Sequence, residues 1–444
     1  MSIARKLVLA AGVGALATGA LATGAMAQTK PAAQPQQKVT GPIATYWMSA
    51  ATQSGFGMPG PSSASGGGRP DAGAMMRAMM GGGGASKSLQ LQLGSSQTSA
   101  NPAADHLPPA TLQAGARLPL LTPKQTPAVK DETPDEHVPP EYRKPRGKML
   151  IFWGCGEKAR PNQPYVIDFA KMAEGKQNPA GMFRGIDYRA MQPPAPGRNK
   201  TYGEWPNETT RDLVPSRGSL AGAHTIRGNY SPEINFTLGA DQDFLAPLNV
   251  TTNQKAPGGW ANLGWGAVPQ ARAYYASAIG GDGETMVMWS SSETQAAAFS
   301  NPDYLSQSDI TRLVANKTLL GPQATTCAVP KEVLDAAPQA MFQLVAYGGE
   351  ANFVHPPRPQ DPKIAWNQEW QVKVRYRSAT GGLLGQAMPG MGGAGFDADD
   401  EDEAPRRPGG QAQQPPKDPK AERRKAIMRG LGGAVGGALG VPIP

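Results

Sequence analysis

The chain has 444 residues, of which 55 are Gly, 44 are Pro and two are Cys. That composition excludes a collagen, a long coiled coil and a disulfide-dense miniprotein, and it predicts one folded core flanked by unfolded stretches. Lys and Arg outnumber Asp and Glu by 43 to 35, and the resulting +8 is spread too thinly to make the basic patch that nucleic acid requires.

Residues 1–27 carry the three parts of a secretory signal: Arg5 and Lys6, an apolar run from Leu7 to Leu21, and the small-residue site Ala25-Met26-Ala27. Cleavage after Ala27 is expected to deliver the protein to the periplasm or another exported location in the cell envelope. No later stretch reaches the roughly 18 to 20 apolar residues of a spanning helix. A Pro/Gln-rich linker (28–37) leads into a region, 38–147, that holds two strand candidates. These are Ile43–Met48 and the alternating Leu89, Leu91 and Leu93. They are expected to pair as a hairpin around residues 55–85, where 11 of 31 residues are Gly and backbone entropy outweighs any burial.

The core is expected at 148–378, which holds 24 of the 29 aromatic residues and both cysteines. Strands are predicted at Met149–Trp153, His224–Arg227, Glu233–Leu238, Ala261–Trp265, Arg272–Ile279, Thr285–Ser290, Ala340–Tyr347 and Trp370–Arg377, with a tight turn at Gly280-Gly281-Asp282-Gly283. Helix signals are few: Ser308 capping 309–320, and Lys331–Ala336 after Pro330. Short strands without long intervening helices predict a mainly β fold, an antiparallel β-sandwich. Residues 379–419 read as a disordered Gly/Pro/acidic linker. The basic, Gly-rich segment 420–444 reads as solvated disorder, with peripheral contact with anionic lipid as the alternative.

Cys155 and Cys327, an even pair in an exported chain, point to a disulfide. A catalytic Cys155 would need a histidine within reach, and His224 and His355 are those in the core, with no local motif around either. Gly154-Cys155-Gly156-Glu157-Lys158-Ala159 fits the G-x-G-x-x-A dinucleotide pattern, but Pro161 and Pro164 break the helix that such a site needs, which leaves a tight turn. Asp241 and Asp243 form half of a calcium loop without its Gly and distal Glu, so a solvated turn is expected. Four dispersed histidines make no zinc spacing. The soft-ligand candidates are Met75, Met76, Met79 and Met80, whose thioethers suit Cu(I). No catalytic residues and no cofactor are predicted.

Trp265, Val268, Pro269, Ala271 and Tyr274 make a W-x-x-V-P-x-A-x-x-Y stretch that resembles the one linking the second and third strands of fibronectin type III modules. The resemblance implies a fibronectin III/Ig-like sandwich, a Trp between the sheets, and a non-catalytic role outside the cytoplasm. The pairing of ATYWMSA (44–50) with FWGCGE (152–157) resembles a group of secreted Gram-negative envelope proteins, a likeness that carries no function. The sequence therefore predicts an exported, non-enzymatic envelope protein that is structural or binds an envelope protein partner. Two alternatives stand beside it: a secreted enzyme whose site is dispersed over loops, and methionine-based copper handling.

Overall fold

The computed structural model describes residues 37–55, 85–124, 147–178, 191–210, 213–295 and 303–386. In chain order the first elements are β1 (Val39–Thr40), β2 (Ala44–Gly55), β3 (Ser86–Ser95), β4 (Ala104–Leu107), β5 (Leu118–Leu120), β6 (Lys148–Trp153), β7 (Tyr165–Asp168) and α1 (Phe169–Ala173). Then come β8 (Thr201–Trp205), β9 (Gly222–Gly228), β10 (Ile234–Leu238), β11 (Val250–Lys255), β12 (Ala261–Trp265), β13 (Ala273–Gly281) and β14 (Thr285–Ser290). The last are α2 (Gln307–Ala315), β15 (Thr326–Val329), α3 (Lys331–Ala336), β16 (Met341–His355), β17 (Trp366–Asn367) and β18 (Trp370–Leu383). The protein is mainly β.

Nine strands build one sheet, ordered β7-β6-β14-β13-β16-β18-β2-β3-β8, and a four-stranded sheet (β10-β9-β4-β5) and a three-stranded one (β11-β12-β15) accompany it. Alternation along the large sheet explains the layering. Tyr46 and Met48 of β2, Leu91 and Leu93 of β3, Tyr274 of β13, Leu344 of β16, and Val372 and Val374 of β18 share one buried cluster with Ile226, Phe236, Leu263 and Val329 of the smaller sheets. The smaller sheets thus cover one face of the large one. The opposite face is covered locally by α2, whose Ile310 and Leu313 pack on Tyr275, Val345, Tyr347 and Ala379.

Several expectations need correcting. The large sheet is mixed, not wholly antiparallel: β6 runs parallel to β14, and β2 runs parallel to β18. The two N-terminal segments pair antiparallel, with Ala44 opposite Ser95 and Gln53 opposite Ser86. Pairing with β18 on its other side makes β2 an interior strand of the sheet. β18 passes the expected boundary at Ser378 and runs on to Leu383, because β16 and β2 hydrogen-bond to it on both sides. Helix α2 is capped two residues earlier than expected: Ser306 Oγ, not Ser308, accepts the Asp309 N–H at 3.1 Å. Six short strands at Ala104–Leu107, Leu118–Leu120, Tyr165–Asp168, Thr201–Trp205, Val250–Lys255 and Thr326–Val329 were not predicted by residue type.

The Gly280–Gly283 turn joins β13 to β14. Asp282 Oδ1 accepts from the Glu284 and Thr285 N–H groups at 3.1 and 2.9 Å. Gly281 sits at φ +139°, where a Cβ would lie 1.9 Å from the Thr285 carbonyl oxygen, so no other residue fits. Among the described residues no helix is long and apolar enough to cross a membrane.

Candidate functional site

The outer face of the large sheet, beside α2, carries an alternation of cations and aromatic rings. Strand β18 reads Trp370-Gln-Val-Lys373-Val-Arg375-Tyr-Arg377, so period-two geometry sends Val372, Val374 and Tyr376 into the core and Lys373, Arg375 and Arg377 to the other face. Trp47 of β2 receives Lys373 Nζ at 5.7 Å and Arg375 Cζ at 4.9 Å from its ring centre. Tyr304, buried three residues before α2, receives Arg375 Cζ at 4.3 Å and Arg377 Cζ at 5.1 Å. The order is Lys373, Trp47, Arg375, Tyr304, Arg377, with each ring face between two cations.

The ends of this ladder are neutralised. Glu350 Oε2 accepts from Lys373 Nζ at 2.8 Å, and Asp303 Oδ1 accepts from Arg377 Nη1. The centre is not. Arg375, only 8% exposed, donates through Nε to Ser49 Oγ at 2.8 Å and touches Met191 Sδ at 3.9 Å through Nη1. No carboxylate among the described residues lies within ion-pair distance of it, although Glu350 is its register partner across the β16–β18 ladder. Burial pulls the Arg375 guanidinium below its ordinary value, with Tyr304 and Asp303 opposing the change. For Arg377, burial acts in the same direction but Tyr304 and Asp303 outweigh it, and the group lies above its ordinary value. Arg377 Nε and Glu350 Oε1 are buried without hydrogen-bond partners among the described residues.

A second polar group lies on the other side of the sheet, inside the core. Tyr46 Oη is 2.6 Å from His106 Nδ1, His106 Nε2 is 2.9 Å from His224 Nδ1, and His224 Nε2 is 2.7 Å from the Leu220 carbonyl. A carbonyl only accepts, so His224 carries its proton on Nε2 and presents a bare Nδ1. His106 must then donate from Nε2 and accept the Tyr46 hydroxyl proton at Nδ1. Both imidazoles are neutral and every nitrogen is used. Burial first, then the neighbouring His224, holds His106 well below the ordinary imidazole range; burial also lowers His224, against the Leu220 hydrogen bond. Burial, reinforced by Tyr230, raises Tyr46 well above the usual phenol range. Phe236 stacks on His224 at 5.0 Å and closes the end of the row. The three side chains are at most 1% exposed, so the relay is sealed and serves the fold.

The remaining predicted residues fall as follows. Cys155, just after β6, and Cys327, in β15, stand at disulfide distance, with sulfurs 2.06 Å apart, and join the large sheet to the three-stranded one. The glycines beside Cys155 serve a loop: Arg160 lies against Gly154, and the Gln163 side chain bonds both the N–H and the C=O of Trp153, closing the loop onto the strand end. No helix follows it. Asp243 accepts from Ser219 Oγ and from the Leu220 and Phe244 N–H groups, a structural turn. His355 is exposed and stacks on Trp370. Met75, Met76, Met79 and Met80, residues 1–36 and the 420–444 segment lie outside the described residues. Among the described residues no three His, Cys, Asp or Glu side chains converge as a metal site.

Sequence reasoning missed both constellations. The alternation V-K-V-R-Y-R in β18 announced a cationic face, but its ring partners come from 326 and 73 residues away in sequence for Lys373 and Arg377 respectively. His106 and His224 are 118 residues apart, and β4 is too short to be read from residue type. No protein-family model, curated protein or solved structure matches the chain, so the site stands on its own chemistry.

Proposed function

We propose that the protein is exported and acts in the cell envelope as a non-enzymatic binding protein. The observation that carries this reading is the pairing of Cys155 with Cys327 across two sheets, a bond that forms and persists in oxidising compartments. It agrees with the secretory pattern of residues 1–27. The sealed Tyr46–His106–His224 relay supports binding over turnover, since this buried row of acid and base groups has its polar atoms matched within the fold. The cation and aromatic ladder offers recognition chemistry on the opposite face. We read the fold as a β-sandwich with a fibronectin III/Ig-like corner. That corner rests on Trp265 of the three-stranded sheet packing 5.6 Å from Tyr274 of the large sheet, whose hydroxyl accepts the Val268 N–H at 2.8 Å.

Fractionation of cells expressing the intact chain, combined with crosslinking and identification of the partners, tests the reading. An envelope fraction, processing after Ala27 and an envelope protein partner are expected. Retention in the cytoplasm with both thiols alkylatable overturns it. A turnover that depends on His355 or on Cys155 favours the enzyme reading. Deleting residues 420–444 is expected to release the protein from the membrane fraction, and unchanged partition removes the lipid-contact proposal.

A further inference from the structure

We propose that Arg375 is the anchor of a binding site for a carboxylate, and that this site is the unmatched centre of the ladder on the outer face of β18. The inference goes beyond the export and binding reading and does not depend on it. Three cations stand in a row and two carboxylates answer them: Glu350 on Lys373 and Asp303 on Arg377. Arg375, the middle cation, is more than nine-tenths buried and makes one strong hydrogen bond, to the neutral Ser49 hydroxyl. A guanidinium has five N–H donors, so most of its hydrogen-bonding capacity has no match among the described residues.

The geometry selects the ligand. The ring centres of Trp47 and Tyr304 lie 4.9 and 4.3 Å from Arg375 Cζ, which leaves a ligand the N–H groups that Ser49 and Met191 do not take. A carboxylate meets such groups as two parallel N–H···O bonds in the guanidinium plane. The tetrahedral oxygens of a phosphate project out of the plane, toward the rings. The aromatic walls and Met191 favour a carboxylate carried on an uncharged group, such as an N-acylated amino acid or a peptide C-terminus. Glu350, turned toward Lys373, bounds the site on the β16 side and disfavours ligands with a second negative charge.

The test is calorimetric titration of the intact, disulfide-bonded chain with N-acetylglycine, and separately with inorganic phosphate, at constant ionic strength. One equivalent of N-acetylglycine is expected to bind. Arg375→Met is expected to weaken binding at least tenfold, and Arg375→Lys, which keeps the charge but loses the fork, by about tenfold. Arg358→Met, at the exposed guanidinium over Trp366, controls for adventitious anion binding and is expected to leave affinity unchanged. Thermal melts of each variant establish that it is folded, and a ligand-induced rise in the wild-type melting temperature that Arg375→Met abolishes gives a second readout. Absence of N-acetylglycine binding, equal affinity in Arg375→Met, an equal loss in Arg358→Met, or tighter binding of phosphate each overturns the assignment.

Discussion

Acid should destabilise this protein well before its carboxylates titrate, and the buried relay sets the amount. His106 and His224 are held neutral in the fold by burial, whereas in the unfolded chain each titrates near 6.5. Because the folded values lie below the unfolded ones, the unfolded state binds more protons as pH falls through 6.5. The stability from the neutral pair is therefore complete above that value and is lost below it. A buried imidazole that stays neutral costs at most about 1.4 kcal/mol per pH unit once the pH is well below 6.5, so the pair costs at most about 2 kcal/mol between pH 6.5 and 5.5. The depressed carboxylates Glu233, Asp282, Glu293 and Asp335 contribute stability that is lost only as pH falls below about 4, outside this window. Urea unfolding followed by tryptophan fluorescence from pH 7.5 to 5.0 measures the slope. His106→Gln and His224→Gln should each lower it, His106→Gln the more, and the double variant should flatten it, whatever offset each introduces at pH 7.5. A double variant with the wild-type slope, or a wild type that gains stability on acidification, refutes the reasoning.

Replacing both Cys155 and Cys327 by Ser opens a loop between residues 172 apart, and the chain-entropy relation gives a loss of about 5 kcal/mol, read from guanidinium unfolding at pH 7.5. Gly281→Ala places a Cβ against the Thr285 carbonyl and should cost ~2 kcal/mol in the same assay, while Gly283→Ala, with open space around its Cβ position, should cost less. Arg377→Met removes an ion pair to Asp303 and a ring contact with Tyr304 and should destabilise by roughly 2 kcal/mol; Arg375→Met leaves no carboxylate behind and should fall within about 1 kcal/mol of the wild type or above it.

Where strand composition and alternation coincide, the sequence was legible. Ala261–Trp265 and Thr285–Ser290 are strands at the predicted bounds, and the leucines of SLQLQLG face the core as their spacing requires. What escaped were strands such as Thr201–Trp205 and Val250–Lys255, whose Thr, Gly, Gln and Asn content gives no periodic apolar signal. Such strands exist because a neighbour supplies a ladder, as β3 does for β8 and β12 for β11. Parallel pairing was equally hidden, since β2 and β18 meet across more than 320 residues and local pattern encodes no partner. The role of Glu350 was equally hidden: the β16–β18 register sets it opposite Arg375, from where it reaches Lys373 diagonally. The same holds for Tyr304, whose ring reaches β18 through the start of α2.

The two polar constellations differ in a way that separates fold from function. In the relay each buried donor meets an acceptor in a single consistent order, so burial costs little and the row fixes how the four-stranded sheet sits on the large one. The ladder breaks that order most plainly at Arg375, which meets no carboxylate among the described residues. Moving a guanidinium out of water costs several kcal/mol. Two desolvated ring contacts at about 2 kcal/mol each and one hydrogen bond of about 1.5 kcal/mol come close to offsetting that cost without a carboxylate. Arg375 is thus held in place while its in-plane donors stay unmatched, an arrangement that adds nothing to stability over a methionine of similar length. Conversely, Arg377 and Lys373 each bring a carboxylate with them and would be missed by the fold. A residue that the fold tolerates without needing, preorganised by two rings and lined up beside two neutralised cations, has its unspent bonding capacity directed at something outside the described chain. Preorganisation without a carboxylate, not positive charge, separates Arg375 from the other described basic side chains.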